Sequence, residues 1–180
     1  MKPLYAVVSL LDAPSYGLVE QLWSELRQRC GIAGIYKTPF PHFSYHVAAE
    51  YDMNRLESRL RTLARRMAPF RVCTSGLGIF TGASPVVYVP VVRSPQLCRV
   101  HQQLWPALGK LSAGALDYYA PERWLPHITL GHGDISPETL PDVVRELARR
   151  DFHWTIEVDN FAVISSSGTA EGLHLRVPLG

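Results

Sequence analysis

The chain has little cysteine: three in 180 residues, Cys30, Cys73 and Cys98, widely spaced and without a Cys-x-x-Cys. So few, odd in number and so dispersed, they argue against a disulfide framework or a cysteine zinc site and are expected as small apolar side chains in the interior. Long hydrophobic runs are also missing. No stretch reaches the roughly 20 apolar residues of a membrane span. Met1-Lys2-Pro3-Leu4-Tyr5 runs straight into a strand-like segment, without the apolar centre and cleavage site of a secretory leader. A cytoplasmic protein with no membrane attachment is the expectation. Charge of one sign is in short supply as well: the formal net charge is +2, less than the clustered excess of a duplex-binding domain. The arginines that do cluster, Arg55, Arg59, Arg61, Arg65 and Arg66, then Arg145, Arg149 and Arg150, are interleaved with leucines and read as solvated helix faces.

What is present is an ordinary globular composition, 47% hydrophobic and 19% charged. The length suits one generous domain or two small lobes sharing a core. Lys2 to Leu11 reads as a buried strand. Asp12-Ala13-Pro14-Ser15 starts a helix carrying Leu18, Leu22, Trp23 and Leu26 up to Gly31. A loop to Pro41, a strand ending near Tyr51, a helix from Asp52 to Ala68 and a strand over Phe70 to Phe80 follow. After a Gly-Ala-Ser-Pro turn the pattern restarts. Val86 to Val92 is a strand, and Arg93-Ser94-Pro95 opens a helix. A loop with Tyr118 and Tyr119 leads to a strand at His127, then a helix over Ser136 to Arg150. Strands over Phe152 to Val158 and Phe161 to Ser165, a Ser-Ser-Gly turn and a strand over Leu173 to Leu179 close the chain.

Three echoes lie in one register: Gln21-Leu22-Trp23 with Gln103-Leu104-Trp105, Pro41-His42-Phe43-Ser44 with Pro126-His127-Ile128-Thr129, and Leu63-Ala64-Arg65-Arg66 with Leu147-Ala148-Arg149-Arg150. They indicate a diverged duplication of β-α-β-α-β halves, about 1–84 and 85–180, in a single bilobal domain over 1–180. The expected fold class is α+β, with antiparallel sheets around a central cleft and helices on the outside. Equivalent strands meeting near a pseudo-two-fold bring His42 and His127 face to face across a groove.

In a strand, residues i and i+2 share a face, so His42 pairs with Ser44 and His127 with Thr129. Two imidazoles with ordinary pKa values near 6.5 supply a base and an acid near neutrality. One accepts a proton from an attacking hydroxyl or water at phosphorus; the other donates to the leaving oxygen. Hydroxyls beside them can hydrogen-bond the non-bridging oxygens where charge accumulates. The scheme needs no metal and no cofactor. The motifs contain no acidic residue, so a four-histidine metal site of His42, His46, His127 and His132 is the weaker reading.

The remaining candidates carry two readings each. His46, on the His42 face by parity, either lines the cleft or ends the strand at solvent. Trp124 either stacks on a nucleobase at the cleft mouth or plugs the core beside Pro121 and Pro126. Tyr36, Tyr118 and Tyr119 lie on the loops entering the histidine strands, where substrate contacts are expected. His132 has the opposite parity from His127 and reads as loop or surface. Trp23 and Trp105 read as core; His101, His153 and His174 read as structural.

The paired Pro-His-x-Ser/Thr strands resemble the two-histidine (2H) phosphoesterase superfamily, which includes 2′-5′ RNA ligase-like proteins and cyclic nucleotide phosphodiesterases. Trp124-Leu125-Pro126-His127-Ile128-Thr129-Leu130 is similar to the family's second motif. The first, with Ser44 for the commoner threonine and His46 after it, is looser. The resemblance covers nearly the whole chain. It implies catalysis by His42 and His127, phosphate binding by Ser44 and Thr129, and metal-independent hydrolysis of a 2′,3′-cyclic phosphate or 2′-5′ phosphodiester in RNA ends or small nucleotides. RNA ligation at the same site, or a nucleotide-binding module without turnover, are the alternatives. The expected partner is a nucleotide or single-stranded RNA end, bound by a monomer.

Overall fold

The computed structural model describes residues 4–166 and 172–180. The first strand, β1 (Tyr5–Leu10), is apolar on both sides because both of its faces are covered. Asp12 ends it and caps helix α1 (Ala13–Cys30), its carboxylate accepting from the Ser15 amide at 3.0 Å. Gly31, at φ 72°, closes the helix in the left-handed conformation. A 3₁₀ turn at Gly34–Lys37 then leads into β2 (His42–Tyr51). Helix α2 (Met53–Ala64), capped by Asp52, is followed by β3 (Phe70–Cys73), β4 (Gly78–Phe80) and β5 (Val86–Pro90). Helix α3 (Pro95–Gly109) has Ser94 as its cap and Pro95 in its first turn. Then come β6 (Ser112–Ala115), a 3₁₀ turn at Asp117–Tyr119, β7 (His127–Gly131), α4 (Leu140–Leu147), β8 (Thr155–Val158), β9 (Asn160–Ser165) and β10 (Leu173–Pro178).

All pairings between these strands are antiparallel, in sheets ordered β10-β9-β1-β2-β6, β4-β5-β7 and β3-β8. Helices α1 to α4 direct apolar stripes into one continuous core, among them Val19, Leu22 and Leu26 of α1, Leu56 and Leu60 of α2, Leu97 and Leu104 of α3, and Val143 and Leu147 of α4. A second, small cluster of Val8, Leu10, Phe40, Ala162 and Ile164 lies on the other face of the five-stranded sheet. The α+β architecture with external helices is therefore as expected. Each sheet nevertheless takes strands from both sequence halves. The helices cross over too: α1 packs on β7 and α3 on β2. Each histidine strand is backed by the other half's helix.

The two histidine strands have matching registers. Leu10 pairs with His42 and Val8 with Ser44, then Val7 with His46, so Tyr45 is an extra residue. Pro90 pairs with His127 and Tyr88 with Thr129, then Val87 with Gly131, so Leu130 is the extra residue there. Both histidine strands thus carry a β-bulge immediately after the hydroxyl residue.

Several local expectations needed correction. The strand foreseen over 70–80 is two strands in different sheets, separated by a turn with Gly76 at φ 65°. Helix α4 starts at Leu140 because Ser136 and Thr139 use their hydroxyls to cap a turn in front of it. Strand β6 lies in what the sequence presented as loop. Cys73 is exposed on the outward side of β3, and Cys30 and Cys98 are only partly covered, because all three fall off the inward stripes of their elements. Trp105 is half-buried. The Ser-Ser-Gly turn runs into 167–171, outside the described residues. Among the described residues no helix is long and apolar enough to cross a membrane.

Candidate active site

Strands β2 and β7 belong to different sheets yet lie against each other. His42 and His127 are their first residues and both are half-buried. Each imidazole is anchored in the same way. Nδ1 of His127 meets the Leu125 carbonyl at 2.7 Å, and Nδ1 of His42 meets the Phe40 carbonyl. In both cases the acceptor is two residues back across a proline, which holds the residue before it extended. A carbonyl only accepts, so Nδ1 carries the hydrogen and Nε2 is left for chemistry.

Burial pulls the His42 pKa down to about 4, against the Phe40 carbonyl bond that raises it and with the nearby His127 charge that lowers it further. Burial also lowers His127, opposed by its bond to Leu125. A proton on His127 disfavours one on His42, so the pair takes up one proton before a second. A singly protonated pair is the state a concerted acid and base require.

The hydroxyl residues follow. Thr129 is half-buried beside His127; Ser44 is at the edge of burial, hydrogen-bonded to the Tyr119 hydroxyl. Their backbones are tied down from behind. The Trp23 indole of α1 donates to the Thr129 carbonyl at 3.0 Å, and the Trp124 indole to the Ser44 carbonyl at 2.8 Å. His101 of α3 reaches the Tyr45 and Tyr119 carbonyls and stacks on Trp124 with centroids 3.8 Å apart and planes at 6°. These contacts fix the motif backbones without entering the cleft.

A cavity of about 780 Å³ opens at this place, lined by His127, Thr129, Phe80, Thr81, Val86, Leu116, Tyr118, Tyr119, Arg123, Leu125 and His132. Among the described residues, no group of three His, Cys, Asp or Glu side chains is placed to hold a metal ion.

Three expected substrate contacts sit elsewhere. His46 is fully buried on the helix side, its ring 4.7 Å from Trp105 and bonded to the Tyr51 hydroxyl. The bulge at Tyr45 breaks the two-residue alternation, so parity with His42 fails there. Trp124 is 1% exposed and forms core, the second of its two readings. Tyr36 packs edge-on to Trp23 with Arg27 over its ring, apart from the residues lining the cavity.

Other residues took their places. Phe80 and Tyr88 stack at 4.3 Å and both contact the His127 ring, with centroids 5.0 and 5.1 Å away. Tyr88 lies across Gly78, where an added Cβ would come within 2.3 Å of the phenol ring. A glycine one strand away from an aromatic was the available signal, but the pairing had to be known first. His132 is at the surface, as parity indicated, and lines the cavity.

Relatives of this geometry exist. A Bacillus anthracis protein named "Putative phosphoesterase" is 25% identical over 130 residues, 69% of each chain. One of the same description from Geobacillus kaustophilus is 27% identical over 127 residues, also 69% of each. Among solved structures, TT0787 of Thermus thermophilus superposes with a TM-score of 0.65 at 16% identity, covering 98% of this chain and 97% of that one. E. coli LigT complexed with 3′-AMP gives 0.56 at 18% identity, covering 97% of both chains. These two establish the fold. The model of the 2′-5′ RNA ligase superfamily matches residues 14–170, and the chain belongs to that superfamily.

Proposed function

We propose that the protein is a phosphodiesterase that opens a 2′,3′-cyclic phosphate, or cleaves a 2′-5′ phosphodiester, at an RNA end or on a small nucleotide. The observation that carries this reading is the matched pair of histidines, each held by Nδ1 on a carbonyl with Nε2 free of that bond, at the starts of two strands that lie against each other, with His127 lining the cavity. The family and the phosphoesterase relatives support the reaction class, and the 3′-AMP bound to LigT supports a nucleotide ligand.

The chemistry balances without a further reactant. Nε2 of the neutral histidine takes a proton from water as its oxygen bonds to phosphorus. The protonated histidine gives its proton to the departing ribose oxygen: O2′ or O3′ of a cyclic phosphate, leaving a 3′- or 2′-monophosphate, or O5′ of a 2′-5′ diester, leaving a 2′-monophosphate and a free 5′-hydroxyl. Ser44 and Thr129 donate to the non-bridging oxygens, whose charge grows in the transition state. A ribose 5′-hydroxyl in place of water turns the same site to ligation, which the superfamily's name keeps as the second reading.

The test is hydrolysis of the four nucleoside 2′,3′-cyclic phosphates in excess EDTA, followed by phosphorus NMR. Wild-type turnover with a loss of about 10²–10⁴-fold in His42→Ala and in His127→Ala, with folding intact, is the expected result. Unchanged turnover in either variant refutes the two-histidine mechanism. A bound nucleotide with no turnover on any linkage points to a binding module instead.

A further inference from the structure

The cavity is larger and more apolar than a single phosphate needs, and its charge is uneven. Of its eleven lining residues, Arg123 alone carries a permanent charge, and none is a carboxylate. Arg123 is exposed, and its guanidinium lies 5.5 Å from the centroid of the Tyr118 ring. Tyr118 is 71% exposed, the most exposed large apolar side chain among the described residues, and Phe80 and Leu125 beside the same cavity are exposed at 37% and 41%. Exposed apolar groups gathered around one opening mark a binding surface. A guanidinium beside an aromatic face suits a phosphate and the flat base attached to it.

We infer that Tyr118 and Arg123 form a second nucleotide subsite, in which Arg123 takes the phosphate on the 5′ side of the reacting nucleoside and Tyr118 stacks the preceding base. The preferred substrate is then the 3′ end of a single-stranded RNA of at least two nucleotides. This inference deepens the reading of the cleft as a phosphodiester site and rests on it. The platform is built as a bound strand requires: Arg123 and Tyr118 lie on the segment entering β7, which Trp124 and His101 pin to the back of β2. The backbone that carries it is therefore tied to the strand of His42 and Ser44. Arg123 also donates the directional pair of N–H groups that a phosphodiester accepts, which a lysine there would not reproduce.

Three probes separate the contributions by calorimetric titration: 3′-AMP, adenosine 3′,5′-bisphosphate and the dinucleotide ApAp with a 3′-terminal phosphate. Wild type is expected to bind the bisphosphate at least tenfold more tightly than 3′-AMP, the scale of one charge-assisted contact, and ApAp more tightly still. Arg123→Gln should weaken the bisphosphate and ApAp by about tenfold more than it weakens 3′-AMP. Tyr118→Ala should weaken ApAp alone by a similar factor. Equal effects of Arg123→Gln on all three probes, or none, overturn the subsite. If only the bisphosphate contrast appears, a small phosphorylated nucleotide replaces the RNA end, and the base platform is wrong. Binding is independent of turnover. The affinity pattern without hydrolysis would sink the proposed activity and keep the subsite; hydrolysis without the pattern would do the reverse.

Discussion

The placement of His46 makes a quantitative prediction about acid stability. Its ring is fully buried against Trp105, and its Nε2 has no hydrogen-bond partner among the described residues. Burial, helped by the nearby His101, lowers its pKa from 6.5 to about 4. Between those two pH values the unfolded chain binds a proton at this position and the folded chain does not. Stability is therefore complete above pH 6.5, drains as the pH falls, and stops changing below about 4. That window, at about 1.4 kcal/mol per pH unit, amounts to about 3 kcal/mol. The measurement is urea denaturation followed by tryptophan fluorescence at pH 7 and pH 4, for wild type and His46→Gln. Glutamine keeps a polar group for the Tyr51 hydroxyl and does not titrate. Other buried histidines contribute to the loss in both proteins; His101 is coupled to His46, so the difference reports His46 together with that coupling. Wild type should lose about 3 kcal/mol more than the variant over this range. Parallel losses would refute the reasoning and return His46 to the solvated cleft side that strand alternation assigns it.

Three other outcomes are expected. Gly78→Ala would drive its new Cβ into the Tyr88 ring; it should cost about 1–3 kcal/mol by urea denaturation and lower kcat by unseating His127, and Gly78→Ala with Tyr88→Leu should recover stability. On a cyclic phosphate, kcat/KM should peak below pH 6.5, because burial lowers both His42 and His127, the proposed acid and base; it should fall about tenfold per pH unit on the alkaline side and decline again near the His42 value of about 4. A pH profile flat to pH 8 would contradict this. Thr129→Val, which removes only the hydroxyl, should lower kcat about 10²-fold with a much smaller change in KM, and circular dichroism should show the fold retained.

The sequence by itself determined the elements that rest on local chemistry. Asp12, Ser94 and the prolines beside them started helices where they were expected, and Gly31 ended one, because caps and backbone freedom act within a few residues. The two Pro-His-x-hydroxyl strands announced themselves because alternation places His42 with Ser44 and His127 with Thr129 wherever those strands finally lie. Their repetition carried the idea of two related halves. Only the tertiary structure decided the rest. Strand pairing put the bulge at Tyr45, and with it turned His46 from the cleft to the core; no local preference in Ser44-Tyr45-His46 reports which residue a partner strand will skip. Packing decided between the two readings of Trp124, because an indole satisfies its N–H either on a distant carbonyl or in water, and the Ser44 carbonyl is eighty positions away. The aromatic wall of Phe80 and Tyr88 depended on β4 and β5 pairing across Gly78. Each histidine strand is backed by a helix from the opposite half, a contact made by burying apolar area, which is non-directional and leaves no mark in the order of residues.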